Sequence, residues 1–150
     1  MTKTFQMTSG MRIGTAILTA MLRAGLPFGS LVLLSVRGRT SGHAYTTPVA
    51  LVEQRGTRWL VAAFGEVNWV HNLRVAGAAQ LTRGRRREAI SVAELGAADA
   101  APVLKQFLTN FQLVPFIRPY FAVTPQSPFS DFEREAAQHP VFRIVNTNVA

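Results

Sequence analysis

Leu31-Val32-Leu33-Leu34-Ser35-Val36, followed by Arg37-Gly38-Arg39-Thr40-Ser41-Gly42-His43-Ala44-Tyr45-Thr46-Thr47-Pro48, decides how the chain is read. The first run is short and apolar, as a buried strand is. A second strand-like run, Val49 to Gln54, follows the proline. The polar stretch is therefore a tight connection between two strands. Its glycines let the backbone reach positive φ and approach a ligand closely. Successive N–H groups in such a turn form an anion-binding nest, and nearby arginine adds charge and paired donors. From these residues alone two readings stay open: a grip for phosphate or carboxylate, and a polar turn with solvated arginines.

Outward from this stretch the chain continues as hairpins. Val49–Gln54 and Trp59–Phe64 flank the turn Arg55-Gly56-Thr57-Arg58. Trp59-Leu60-Val61-Ala62-Ala63-Phe64 is almost wholly apolar, so both its faces are expected to be covered. Ala79–Arg83 and Glu88–Glu94 flank Gly84-Arg85-Arg86-Arg87, and Ala89, Ser91 and Ala93 alternate with Ile90 and Val92. Pro140–Val145 is a last strand. Helices are expected at Met11–Gly25 with Ser9 as N-cap, at Trp69 to about Ala76 with Asn68 as N-cap and Gly77 as stop, at Ala97–Leu113, and at Ser130–Ala137 with Ser130 as N-cap. Val114 to Phe121, rich in aromatics and proline, reads either as a loop over the core or as a wall for an apolar ligand. Short hairpins with intervening helices give a mainly β (α+β) fold, a small barrel whose openings helices cover. Residues 1–30 form an N-terminal segment with its helix, and residues 31–150 form the barrel domain.

The chain has 150 residues, 48% of them hydrophobic and 16% charged, with a formal charge of +8. That composition is globular and supports one core. All 16 basic residues except Lys3 and Lys105 are arginine, the better residue for planar, bidentate anion contacts. Such a field suits an anionic partner: nucleic acid, an acidic membrane face or a multiply charged cofactor. With no cysteine, disulfides, thiolate metal sites and cysteine nucleophiles are excluded, and a cytoplasmic location fits. His43, His71 and His139 are far apart and lack metal-ligand spacing, so no metal site is expected. Ile13 to Val36 carries only Arg23 as a charge. A membrane span needs about 20 apolar residues, but Arg23 and Leu26-Pro27-Phe28-Gly29 interrupt this one, so a helix leading into a strand is the expectation. No cleavage site follows a short apolar region as in a leader peptide. Peripheral membrane contact through the N-terminal helix stays open.

Trp69, Asn72 and Leu73 fall on one face of their helix. Trp69 and Leu73 suit packing. A buried Asn72 needs hydrogen-bond partners, so it either fixes a loop or holds a ligand. The Arg85–Arg87 turn is either a polyanion contact or a solvated turn.

Gly38-Arg39-Thr40-Ser41-Gly42, the strand-opening Pro48 and Trp69-Val70-His71-Asn72-Leu73 together resemble the deazaflavin-dependent (coenzyme F420-dependent) nitroreductase family, abundant in actinobacteria. The resemblance covers Leu31 to Val145. It implies a six-stranded split β-barrel, of the kind that also binds flavin mononucleotide (FMN), with a groove for reduced coenzyme F420. That flavin analogue carries a phosphodiester and an oligoglutamate tail. By resemblance, Arg39, Thr40, Ser41 and Gly42 hold the phosphate beside Tyr45. Pro48, Ala62, Ala63, Phe64 and Gly65 line the ring pocket. Asn68, Trp69 and Asn72 meet the deazaflavin, and Arg74 meets the tail, where Arg85–Arg87 also come into question. Val70, Phe116 and Tyr120 face the substrate. The family often has Lys where this chain has Thr40, Arg where it has Tyr45, and Tyr where it has Val70.

The resemblance implies an oxidoreductase that transfers hydride from reduced coenzyme F420 to a small apolar electrophile: a quinone, an enone or a nitroaromatic. FMN is the alternative cofactor. The alternative function is a non-catalytic split-barrel protein that binds a lipid or other apolar ligand. A nucleic-acid-binding barrel is disfavoured because no aromatic platform lies among the basic strands. The expected partner is a small-molecule substrate, with no nucleic acid, in a monomer or homodimer. Tyr45, His71 and Tyr120 are the candidate proton donors, and no catalytic residue is assigned.

Overall fold

The computed structural model describes Thr19, residues 31–110 and residues 120–145. The expected helix at 11–25 apart from Thr19, Phe116 and the aromatic segment as far as Pro119 lie outside the described residues. Strands β1 (Leu31–Arg37), β2 (Ala44–Gln54), β3 (Thr57–Val61), β4 (Ala78–Arg83), β5 (Arg86–Glu94) and β6 (Val141–Val145) close into one barrel in the order β1-β2-β3-β6-β5-β4. Every neighbouring pair is antiparallel. The barrel and its covering helices are those expected from the hairpin spacing and the family resemblance.

The alternation along the strands sorts residues into two layers. Val32, Leu34 and Val36 of β1, Val49 and Leu51 of β2, Leu60 of β3, Leu81 of β4, Ile90 of β5 and Phe142 and Ile144 of β6 fill the interior. Fully burying one such side chain contributes about 1.5–3 kcal/mol. The opposite faces of β2, β3 and β6 carry Ala50, Val52, Val61 and Val141. Helix α2 (Ala97–Asn110) packs on them through Leu104, Phe107 and Leu108, with Phe132 of α3 (Phe129–Glu135) alongside. Both faces of β3 are thus covered, as its apolar sequence requires.

Helix α1 (Asn68–Ala76) plugs one mouth of the barrel with Val70 and Leu73. It stops at Gly77, whose φ of 69° places it in the left-handed region and lets its N–H donate to the Leu73 carbonyl at 2.7 Å. Two helix starts differ from the sequence reading. The N-cap position of α1 is Val67, with no side-chain cap, so Asn68 is the first helical residue. Val67 packs against the interior cluster and draws the chain into the helix one residue early. In α3 the extended Pro128 holds the N-cap position, and Ser130 lies inside the helix. Among the described residues no helix is long and apolar enough to cross a membrane.

The register gives the barrel two different ends. At one lie the β1–β2 loop, the start of β4 and α1. At the other lie the β2–β3 turn, Arg55-Gly56, and the β4–β5 turn, Gly84-Arg85. Strand β1 separates them by roughly 20 Å at about 3.3 Å per residue. Two ion pairs clasp the hairpin end. Arg83 of β4 reaches Glu53 of β2 at 3.1 Å over the end of β1. Arg58 of β3 grips Glu88 of β5 with two bonds, 2.9 and 2.5 Å, past the end of β6.

Candidate active site

The loop between β1 and β2 closes on itself. The Gly38 N–H donates to the His43 carbonyl at 2.7 Å, and the Gly42 N–H to the Gly38 carbonyl at 3.1 Å. Ser41 Oγ accepts the His43 N–H at 3.2 Å and bonds the Tyr45 hydroxyl at 3.1 Å. The Tyr45 ring lies so close over Gly38 that a Cβ there would meet it at 2.6 Å. A side chain at this position would push the exposed Tyr45 ring and the Ser41 hydroxyl aside. Gly42, with φ of 75°, makes the return toward β2.

Asn72 of α1 ties this loop down. Its buried Oδ1 accepts the Arg39 backbone N–H at 3.1 Å and Arg39 Nη1 at 2.7 Å. The same Nη1 lies 3.5 Å from the Asn68 carbonyl. Of the two readings of Asn72, loop fixation is the one observed. Arg39 is thereby held by neutral acceptors and keeps its whole charge. The successive N–H groups of Thr40 and Ser41 donate to no described group. The loop crown therefore presents paired N–H donors, two exposed hydroxyl side chains and an exposed, immobilised guanidinium. This donor set fits a phosphate group.

A second wall approaches the start of α1 from the other side. After β3 the chain turns through Ala62, Ala63, Phe64 and Gly65, three residues short of Asn68. Phe64 is partly exposed and meets the Tyr120 ring edge-on, with centroids 5.2 Å apart at 84°. Gly65 has φ of 95°, and a Cβ there would press on the Gln138 carbonyl at 3.3 Å. Half-buried Trp69 leans on Phe142, with centroids 6.0 Å apart. The connection that carries Phe64 leads into α1, and the Arg39 loop bonds to Asn68 and Asn72 of the same helix.

Some expected site residues sit elsewhere. Val70 is 0% exposed within the barrel interior. Its side chain packs the plug and does not face a substrate. Arg74 is gripped by Glu94 through two bonds, 2.9 and 2.8 Å, and by Glu66 at 2.6 Å. The Glu94 hydrogen bond, reinforced by Glu66 against burial, raises its pKa further above the ordinary arginine value. Its charge is paired with two carboxylates within the fold. Ala62 is buried, and its carbonyl accepts from His139. Pro48 pairs with Leu33 in the β1–β2 ladder. Arg85–Arg87 lie at the hairpin end, away from the Arg39 loop. Phe116 is outside the described residues.

The family model for the F420H(2)-dependent quinone reductase matches residues 3–112. This chain belongs to that family. It is accordingly a coenzyme F420-dependent reductase, and its cofactor is coenzyme F420. No curated protein matches the sequence. Among solved structures, one described as a domain-swapped dimer is similar at TM-score 0.56, with 18% identity over 87% of this chain and 92% of that one. A protein of unknown function from Agrobacterium tumefaciens is similar at TM-score 0.55, with 14% identity over 85% of this chain and 53% of that one. A nimc/nima family protein from Clostridium acetobutylicum is similar at TM-score 0.51, with 11% identity over 88% of this chain and 82% of that one. At these identities the likeness is one of fold.

Sequence reading missed two buried polar residues, His139 and Glu135. His139, buried and bonded to the Ala62 and Tyr120 carbonyls, has backbone partners that leave no side-chain motif. Glu135 beside it was equally silent: its Oε1 lies 3.4 Å from His139 Nε2.

Proposed function

We propose that this reductase acts on a small, flat, apolar electrophile, a quinone before an enone or a nitroaromatic. The observation that carries this reading is that α1 joins an uncompensated Arg39 loop, bonded to it, to the connection that carries Phe64 of the Phe64–Tyr120 aromatic pair. One element suits a phosphate and the other a planar apolar ring. Bound reduced coenzyme F420 supplies hydride. The chain binds, orients and excludes water. The Thr40 and Ser41 N–H groups and Arg39 hold the phosphodiester. Ala63, Phe64, Gly65, Asn68 and Trp69 border the deazaflavin ring. Exposed Phe64, backed edge-on by the buried Tyr120 ring, forms the outer wall on which the substrate stacks.

The test is a titration of purified protein with oxidised coenzyme F420, followed by quenching of its fluorescence, and then turnover of the reduced form with each electrophile class. Saturable micromolar binding with quinones as the best substrates is expected. Absence of saturable binding would remove the loop assignment. Binding without quinone turnover would remove the substrate class.

A further inference from the structure

We propose that His139 is a positioning residue that sets how exposed Phe64 sits on the buried Tyr120 ring, and so the shape of the aromatic pocket wall, through a ring that donates from both nitrogens. The proposal rests on the pocket reading above. His139 Nδ1 lies 2.8 Å from the Ala62 carbonyl oxygen, and Nε2 lies 2.7 Å from that of Tyr120. A carbonyl oxygen only accepts, and a neutral imidazole has one N–H. Both contacts are satisfied together only by the doubly protonated ring. The surroundings suit that form. Glu135 Oε1 lies 3.4 Å from Nε2 and itself accepts the Ala122 N–H at 3.1 Å. Phe121 stacks on the ring face at 3.7 Å and 7°. A buried cation with a buried counter-charge is the arrangement that burial permits.

The ring's two partners lie on the two segments that meet in the Phe64–Tyr120 contact. Ala62 leads directly into Ala63 and Phe64. Tyr120 offers its carbonyl to His139 and its ring to Phe64. One imidazolium therefore fixes the backbone on both sides of the Phe64–Tyr120 contact. It does so without touching the coenzyme phosphate site, which hangs on Asn72. His139 acts through Phe64 and Tyr120 on which substrates fit.

His139→Phe keeps the stack on Phe121 and removes both donors. His139→Gln keeps an amide donor. Glu135→Gln keeps the acceptor for Ala122 and removes the counter-charge. The assay compares kcat and KM for a benzoquinone and a bulkier naphthoquinone, with the Kd of oxidised coenzyme F420 measured alongside. His139→Phe is expected to raise KM and shift the ratio of the two kcat/KM values by about fivefold or more, within the range pocket changes produce. The coenzyme Kd should stay within about twofold, because the phosphate grip is remote. His139→Gln and Glu135→Gln should shift the same ratio less, which keeps the test open if His139→Phe does not fold. A loss of folded protein alone would scale kcat equally for both quinones and leave KM and the ratio unchanged; that result overturns the proposal. A second measurement needs no substrate. In protein labelled with 15N-histidine, His139 should show two protonated ring nitrogens, and one bare nitrogen overturns the proposal. A wild-type protein that reduces no quinone would count against the substrate class alone, and the imidazole spectrum would then decide the His139 assignment.

Discussion

The two ends of the barrel use the same residue type in opposite ways. At the hairpin end, Arg58 and Arg83 are held by carboxylates, Glu88 and Glu53. Their charges cancel, and what remains is a clasp between two hairpins. At the loop end, Arg39 is held by an amide oxygen and, at longer range, a carbonyl. The geometry is equally fixed, but no negative charge is supplied. A neutral anchor immobilises a cation without neutralising it, and this is what an anion site requires. Arg74 sharpens the contrast, because it also leaves α1 but is caught between Glu66 and Glu94. Proximity to the site therefore does not decide which arginine keeps its charge available. The partner on the protein side does.

The largest expected effect follows from removing the uncompensated charge. Arg39→Ala should weaken coenzyme F420 binding by about 10- to 100-fold, the range for a charge-assisted hydrogen bond of about 1.5–3 kcal/mol. The ratio to wild type should shrink as salt screens the interaction. An affinity within about twofold of wild type at low salt would remove Arg39 from the site.

A smaller effect, but a sharper one, is expected when the anchor is given a charge. Asn72→Asp keeps an acceptor for the Arg39 N–H and Nη1 while turning the loop end into a copy of the hairpin end. The fold should hold, since an exposed guanidinium gains a partner. Coenzyme affinity should drop by about tenfold, or about 1.4 kcal/mol. Unchanged affinity with an intact fold would show that neutrality of the anchor is irrelevant.

Much of this was legible beforehand, for identifiable reasons. Strand alternation is local, so Ile90/Val92 declared themselves; the hairpin at Arg55 was also visible, but its turn was expected over Arg55–Arg58, whereas β3 already begins at Thr57 and ends at Val61. The importance of Asn72 was visible because an amide beside Trp69 and Leu73 on one helix face demands a partner. Which partner was not visible, because Arg39 lies 33 positions away in the sequence. Val70 was misplaced because facing the barrel interior depends on how α1 rotates over the mouth, which helical spacing does not specify. The partners of Arg74 were not visible, because sequence shows a cation and not the two carboxylates that surround it. His139 was invisible for the strongest reason: its partners are backbone carbonyls, and every residue has one.

Arg74 supplies the third comparison. Arg74→Gln should leave coenzyme affinity within about twofold of wild type in the titration that exposes Arg39→Ala. Its cost should appear in stability, at about 0.2–1 kcal/mol for each exposed pair lost. A tenfold loss of affinity, about 1.4 kcal/mol, would show that Glu66 and Glu94 release Arg74 when the coenzyme binds.

The smallest effect is at the hairpin end and is read against pH. The Arg58 hydrogen bond, opposed by burial and aided by the charges of Arg58 and Arg86, holds the Glu88 carboxyl below its ordinary value of 4.5. Folding thus favours the charged form. The contribution is fully present above the ordinary value and is lost as pH falls through the lower value in the fold. Glu88 is more than a third exposed, so solvent screening keeps the contribution in the range of about 0.2–1 kcal/mol. For a chain of this size that corresponds to about 1–4 °C in Tm. Glu88→Gln should melt lower than wild type at neutral pH, and the difference should close as both are acidified below 4.5. Coenzyme affinity should not change, because the clasp and the Arg39 loop occupy opposite ends of the barrel. A Tm difference that persists into acid would mean that Glu88 stabilises through packing. A change in affinity would mean that the two ends are mechanically coupled, and the separation of a structural end from a binding end would fail.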